Sequence, residues 1–100
     1  MSACVYILRC ADGRLYYGST GDLRRRLHDH QRGHVRTTKV RLPVELVYFE
    51  QVATADEART RERSLKNGRT RRATIDRMIS TFPKEQLADY QAGLSRAGAS

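Results

Sequence analysis

Acidic residues are scarce: eleven Asp and Glu face nineteen Lys and Arg in 100 residues, for a formal net charge of +8 and a pI near 10.2. No basic tail accounts for the imbalance, since residues 1–50 hold nine basic and five acidic groups and residues 51–100 hold ten and six, so each half carries +4. Cysteine is equally sparse. Cys4 and Cys10 fall on one predicted strand, about 20 Å apart at the usual rise per residue and beyond disulfide reach, so they read as free thiols packed as small hydrophobes in a reducing compartment. Zinc-ligand spacing is missing. No apolar run approaches membrane-span length and no signal-peptide pattern opens the chain, which predicts a cytoplasmic protein with no membrane partner. Repeats and low-complexity linkers are absent too. A hydrophobic share of 39%, below the globular norm, predicts one small core and one compact domain.

What is abundant is arginine, sixteen of the nineteen basic residues. Its planar fork suits bidentate phosphate contacts better than lysine does, so a polyanion, with nucleic acid the commonest, is the expected partner. Simple solubility is the alternative reading of the same charge.

Residues 4–10 and 14–19 read as two strands joined around Asp12-Gly13. A two-residue loop would put Tyr6 and Tyr16 on opposite faces. A three-residue loop, Ala11-Asp12-Gly13 with Gly13 left-handed, pairs Cys10 with Arg14, sets Gly18 opposite Tyr6 and Leu8 opposite Tyr16, and brings both phenols to one face. Asp22 is a good N-cap for a helix to about Arg32 that stops at Gly33. Leu23 and Leu27 form its thin apolar stripe, and Arg26 and His30 fall against that stripe while Arg24 and Arg25 take the solvated side. A loop from His34 to Pro43 carries Arg36, Lys39 and Arg41. VELVYFEQV, Val44 to Val52, is a third strand. Thr54-Ala-Asp-Glu57 is a capping box for a helix over about Ala55–Lys66 that ends at Asn67-Gly68, and Glu62 lies on its buried stripe with Ala58 and Leu65. A buried carboxylate demands a polar or charged partner. A core-covering helix follows over about Arg71–Ser80 with Ile75, Met78 and Ile79. Pro83 ends it, residues 84–92 offer a short helix, and Leu94–Ser100 reads as a fraying tail.

Tyr6, Tyr16, Gly18, Arg26, His30 and Glu62 thus stand as polar or special residues aimed at core-facing surfaces. The order VY, YYG, GDLRRRLHDH and a later RERSLK helix resembles the GIY-YIG nuclease superfamily over roughly residues 4–80, most closely its small stand-alone bacterial type. The resemblance implies an α+β fold with a three-stranded antiparallel sheet flanked by helices in the order β-β-α-β-α-α, a nuclease domain over 1–83, and a short helix and tail over 84–100. It implies a metal-dependent endonuclease that hydrolyses phosphodiester bonds, with DNA favoured over RNA and a role in DNA repair or processing.

By the same resemblance Tyr6, Tyr16, Arg26 and His30 are the expected catalytic residues and Glu62 the single metal ligand, for one Mg²⁺ or Mn²⁺. Gly18, Arg24, Arg36, Lys39 and Lys66 are the expected substrate contacts, Gly18 by letting substrate backbone approach the sheet. A guanidinium and a dication suit charge building on phosphoryl oxygens, and Tyr6 would relay a proton from water. A free phenol has a pKa of about 10, so that role needs the metal and Arg26 close by. Tyr6 and Tyr16 should share one sheet face with Arg26 and Glu62 converging on it. The chain departs from the family at its first motif, which reads Cys4-Val5-Tyr6, and at Tyr17, and it has Thr74 and Asp76 where several members place an asparagine. The competing reading is a nucleic-acid-binding module on the same scaffold with little or no cleavage, in which Arg26 and Glu62 form a structural ion pair.

Overall fold

The hairpin turn decides the register of the sheet. In the computed structural model, which describes residues 2–90, Gly13 has φ +87°, its amide bonds the Cys10 carbonyl at 2.9 Å, and the Cys10 amide bonds the Arg14 carbonyl at 2.8 Å. Ala11, Asp12 and Gly13 are therefore the loop, as the left-handed glycine predicts. Strand β1 (Ala3–Cys10) pairs antiparallel with β2 (Leu15–Thr20), Tyr6 opposite Gly18 and Leu8 opposite Tyr16. Strand β3 (Val44–Val52) pairs antiparallel with the other edge of β1, giving the order β2-β1-β3. A bulge puts Ile7 opposite Tyr48 but Leu8 opposite Leu46. Val47 is the extra residue, so Val47 and Tyr48 both pack on one face and the simple alternation of the strand breaks there.

Central β1 is covered on both sides, and Val5, Tyr6, Ile7 and Leu8 are all fully buried. Helix α1 (Leu23–Gln31) lays Leu23 and Leu27 on the face of Tyr6, Leu8 and Cys10. Helices α3 (Ala55–Lys66) and α4 (Arg72–Thr81) lay Ala58, Leu65 and Ile75 on the opposite face, against Ala3, Val5 and Ile7. Each large apolar side chain so buried contributes about 1.5–3 kcal/mol relative to exposure. The capping predictions hold: the Asp22 carboxylate accepts from Arg25 N at 3.1 Å, and Thr54 Oγ1 accepts from Glu57 N at 3.1 Å. Glu57 reaches back to Ala53 N at 3.3 Å, one residue outside the N-cap.

The loop expected over 34–43 contains a one-turn helix, α2 (Arg36–Lys39). It is held to the hairpin by Ala11 N donating to the Arg41 carbonyl at 3.0 Å and by Arg41–Asp12 at 3.3 Å. Residues 84–90 are helical, and Leu87 and Tyr90 pack on the α1 side of the core. The end of the helix expected to 92 and the tail over 94–100 lie outside the described residues. Both cysteines are free, and among the described residues no helix is long and apolar enough to cross a membrane.

Gly18 is glycine because of Tyr6. A Cβ there would stand 2.5 Å from both Cζ and Oη of the Tyr6 ring, so the ring occupies the side-chain space that Gly18 vacates. This corrects the expectation of substrate backbone at Gly18: the position is buried and already filled. Gly18→Ala should therefore lower unfolding free energy by about 1–3 kcal/mol, the cost of overpacking a closed core, as measured by urea denaturation. An unchanged midpoint would mean that the ring moves freely.

Candidate functional site

Tyr6 anchors a buried polar chain. Its phenol is 2.8 Å from His30 Nε2, His30 Nδ1 is 2.8 Å from Thr38 Oγ1, and Thr38 Oγ1 donates to the Val35 carbonyl at 3.4 Å. Tyr6, His30 and Thr38 are each fully buried. The sequence placed His30 on the buried stripe of α1, and the structure keeps it there. Thr38 carried no signal, since a helix of one turn has no period to read. Burial, reinforced by the Arg26 charge, pushes the His30 pKa from 6.5 down to about 4, so the ring is neutral near pH 7. Burial also pushes the Tyr6 phenol well above its ordinary value; Arg26 opposes that rise, and the charges of Tyr16 and Glu62 add to it.

Arg26, one turn before His30, reaches the same place. The Tyr6 phenol is the largest cause of its raised pKa, and Tyr16 adds to the effect. The Tyr16 ring lies 6.3 Å from that of Tyr6 and 5.0 Å, edge-on, from His30. Tyr6, Tyr16, Arg26 and His30 are thus brought together on one sheet face. They are not equally accessible. Tyr6 is enclosed and cannot meet water directly, whereas Tyr16 is half-buried and lines a crevice with Arg14, Thr37, Thr38 and Arg41. The proton relay expected of Tyr6 therefore has no direct route to solvent, and Tyr16 is the phenol that solvent reaches.

Glu62 comes from the other side. It sits on α3, which packs against the face of Val5 and Ile7, so the expected convergence on the tyrosine face is corrected: Glu62 approaches across the edge strand β2. Ser19 on β2 donates to its Oε1 at 2.8 Å and Lys66 to its Oε2 at 3.2 Å, which supply the partners a largely buried carboxylate requires. The salt bridges among the described residues do not join Arg26 to Glu62, contrary to the ion-pair reading.

Arg59, Arg63 and Lys66 surround Glu62 in a cleft of about 280 Å³ with Ser19. Their positions at i−3, i+1 and i+4 from Glu62 were readable as one helix surface, yet only Lys66 was expected there. Arg24 is not brought to the site, for its guanidinium lies 4.8 Å over the Tyr90 ring. Arg36 and Lys39 are on the solvent side of α2. Asp76, near the expected asparagine position, pairs with Arg72 at 2.9 Å.

The donor set can be tested against a divalent cation. Among the described residues no three His, Cys, Asp or Glu side chains cluster as a metal cage. A lone carboxylate beside a hydroxyl nevertheless fits Mg²⁺ or Mn²⁺ that retains water and takes further ligands from substrate phosphate. A cation on Glu62 would have to displace the Lys66 ammonium from Oε2.

The family model for the GIY-YIG catalytic domain matches residues 2–76, and the chain belongs to this family. Among individual proteins it is similar to a UPF0213 protein of Streptococcus pneumoniae, 38% identical over 89 residues covering 88% of each chain, and to a UPF0213 protein of Staphylococcus aureus, 48% identical over 63 residues covering 62% of this chain and 77% of that one. The solution NMR structure of a UPF0213 protein from Bacillus halodurans matches with a TM-score of 0.51 and 32% identity, covering 82% of this chain and 86% of that one.

The lowered His30 pKa has a thermodynamic consequence. Unfolding restores a pKa near 6.5, so the unfolded chain binds the proton more readily and stability is lost as pH falls from about 6.5 through 4. The loss attributable to this ring should be about 3 kcal/mol. Denaturant unfolding of wild type and His30→Gln across this range should show a slope in wild type beyond that of the variant. Parallel curves would mean that His30 is protonated in the fold.

Proposed function

We propose that this protein is a divalent-metal-dependent endonuclease, with DNA favoured over RNA as substrate and a role in DNA repair or processing. The observation that carries the reading is Arg26, one turn before the buried Tyr6–His30 pair and electrostatically coupled to the Tyr6 and Tyr16 phenols, beside the edge strand that Glu62 approaches from the opposite face. Arg26 offers a guanidinium to the oxygens of a phosphodiester whose charge grows during attack. Tyr16, accessible from solvent, is placed to hydrogen-bond or exchange a proton with the attacking water. Tyr6 and His30 act behind them as positioning residues, and the neutral state of His30 avoids a second cation against Arg26. Glu62 holds the dication, which when bound supplies positive charge at the phosphoryl oxygens and favours ionisation of water.

Substrate would be held through charge. Arg59, Arg63 and Lys66 ring the Glu62 cleft, and Arg36 and Lys39 are exposed basic groups on α2. No element reads as a base-reading helix, so affinity should depend on salt far more than on sequence. A binding module with little cleavage is the second reading, favoured by the engagement of both Glu62 oxygens, by Ser19 and by Lys66.

Labelled linear and branched DNA and RNA incubated with Mg²⁺ or Mn²⁺ separate the two. Wild type should nick at least one substrate and EDTA should stop it. Glu62→Gln, which keeps an acceptor for Ser19, should abolish nicking while altering binding less than about threefold, because it removes the metal ligand and leaves the phosphate-contacting groups. Nicking that survives EDTA or Glu62→Gln would overturn the metal reading, and binding without nicking under every condition would establish the module.

A further inference from the structure

Thr38 lies outside every motif discussed above, yet it is fully buried and ends the polar chain that starts at Tyr6. We propose that Thr38 is a positioning residue: it holds His30 in the tautomer protonated at Nδ1, so that the Tyr6 hydroxyl donates to His30 Nε2 and turns its oxygen lone pairs toward Arg26. The inference rests on the nuclease reading for its catalytic consequence but not for its structural content.

A count of protons selects the tautomer. A neutral imidazole offers one N–H and one acceptor nitrogen. Thr38 Oγ1 has a single proton and two neighbours, His30 Nδ1 at 2.8 Å and the Val35 carbonyl at 3.4 Å. If the hydroxyl donates to Val35, Nδ1–H donates to Thr38, Nε2 is bare, and Tyr6 donates to it at 2.8 Å. Every donor then has an acceptor in one direction, and the Tyr6 oxygen keeps its lone pairs for Arg26, to which it is electrostatically coupled. In the opposite arrangement Thr38 donates to Nδ1 and Nε2–H donates to Tyr6. The Tyr6 proton then loses the Nε2 acceptor that stands 2.8 Å away. A buried, unsatisfied hydroxyl costs about 1–3 kcal/mol, which selects the first arrangement.

Removing the Thr38 hydroxyl leaves Nδ1–H without an acceptor. Either Nδ1–H or, once the ring proton moves to Nε2, the Tyr6 hydroxyl now lacks an acceptor, so the preference for Nδ1 is largely lost and both tautomers are populated. Thr38→Val would thereby disturb Arg26 without touching it. Thr38→Ser keeps the hydroxyl and should keep the arrangement.

Long-range nitrogen–proton correlation NMR on the free, uniformly ¹⁵N-labelled protein reads the tautomer directly. Wild type and Thr38→Ser should show His30 protonated at Nδ1, and Thr38→Val should show Nε2–H appear beside it. In the cleavage assay with the substrate found above, Thr38→Val should lower kcat about tenfold with KM within about twofold, and Thr38→Ser should restore it. Wild-type His30 protonated at Nε2 overturns the proposal whether or not Thr38→Val folds, as does a Thr38→Val spectrum unchanged from wild type. Because the tautomer is observed without substrate, a protein that never cleaves nucleic acid would refute the nuclease reading and leave this one standing.

Discussion

The enclosure of the Tyr6 ring over Gly18 is the constraint on which the rest of the site depends. A side chain at position 18 would collide with the ring, and a different hairpin register would move Tyr6 away from the glycine. With the ring in place, its phenol meets His30 across 2.8 Å and is electrostatically coupled to Arg26. One packing choice therefore fixes the end of α1 and, through His30 and Thr38, the seat of α2. Stability and function are coupled here, because the groups proposed to stabilise a transition state are also satisfying one another's buried hydrogen bonds.

The two sides of the sheet divide the chemistry. The α1 side contributes cationic and neutral donors, Arg26 with the phenols and His30. The α3 side contributes an acidic group, Glu62, already met by Ser19 and Lys66. The thin edge strand β2 separates them, with Gly18 facing one side and Ser19 the other. Keeping Glu62 apart from Arg26 prevents a mutual ion pair that would neutralise both, and leaves each available for phosphate or metal. The Arg59, Arg63 and Lys66 collar around Glu62 is repulsive among its own members, so it is a surface that gains from a polyanion.

How far the sequence discloses this follows from the kind of signal each residue gives. The hairpin register was legible because Asp12-Gly13 restricts the turn to few geometries and a one-residue slip would reverse every side chain. Helices α1 and α3 were legible from their caps, Asp22 and Thr54. The site residues on them were found because polar groups on apolar stripes are anomalous. The sheet face that α3 would take was not legible, since a buried stripe says that a helix packs and not against which side, and this led Glu62 to be placed on the tyrosine face. Gly18 was noticed for its lack of a side chain, but only the structure showed that Tyr6 fills the space. Thr38 and Val35 lie in a segment too short for periodicity, so the last links of the polar chain had no sequence signature.

The central claim is that Arg26, beside the phenols, stabilises charge on a phosphodiester under attack. Single-turnover cleavage by Arg26→Lys at saturating protein and metal tests it most directly, because lysine keeps the charge and loses the planar fork. The account predicts a rate lower by about 10²–10³, the usual effect of removing an oriented donor from a transition state, with substrate affinity nearly unchanged. A rate within a few-fold of wild type would contradict it and return Arg26 to a purely structural role beneath the tyrosines.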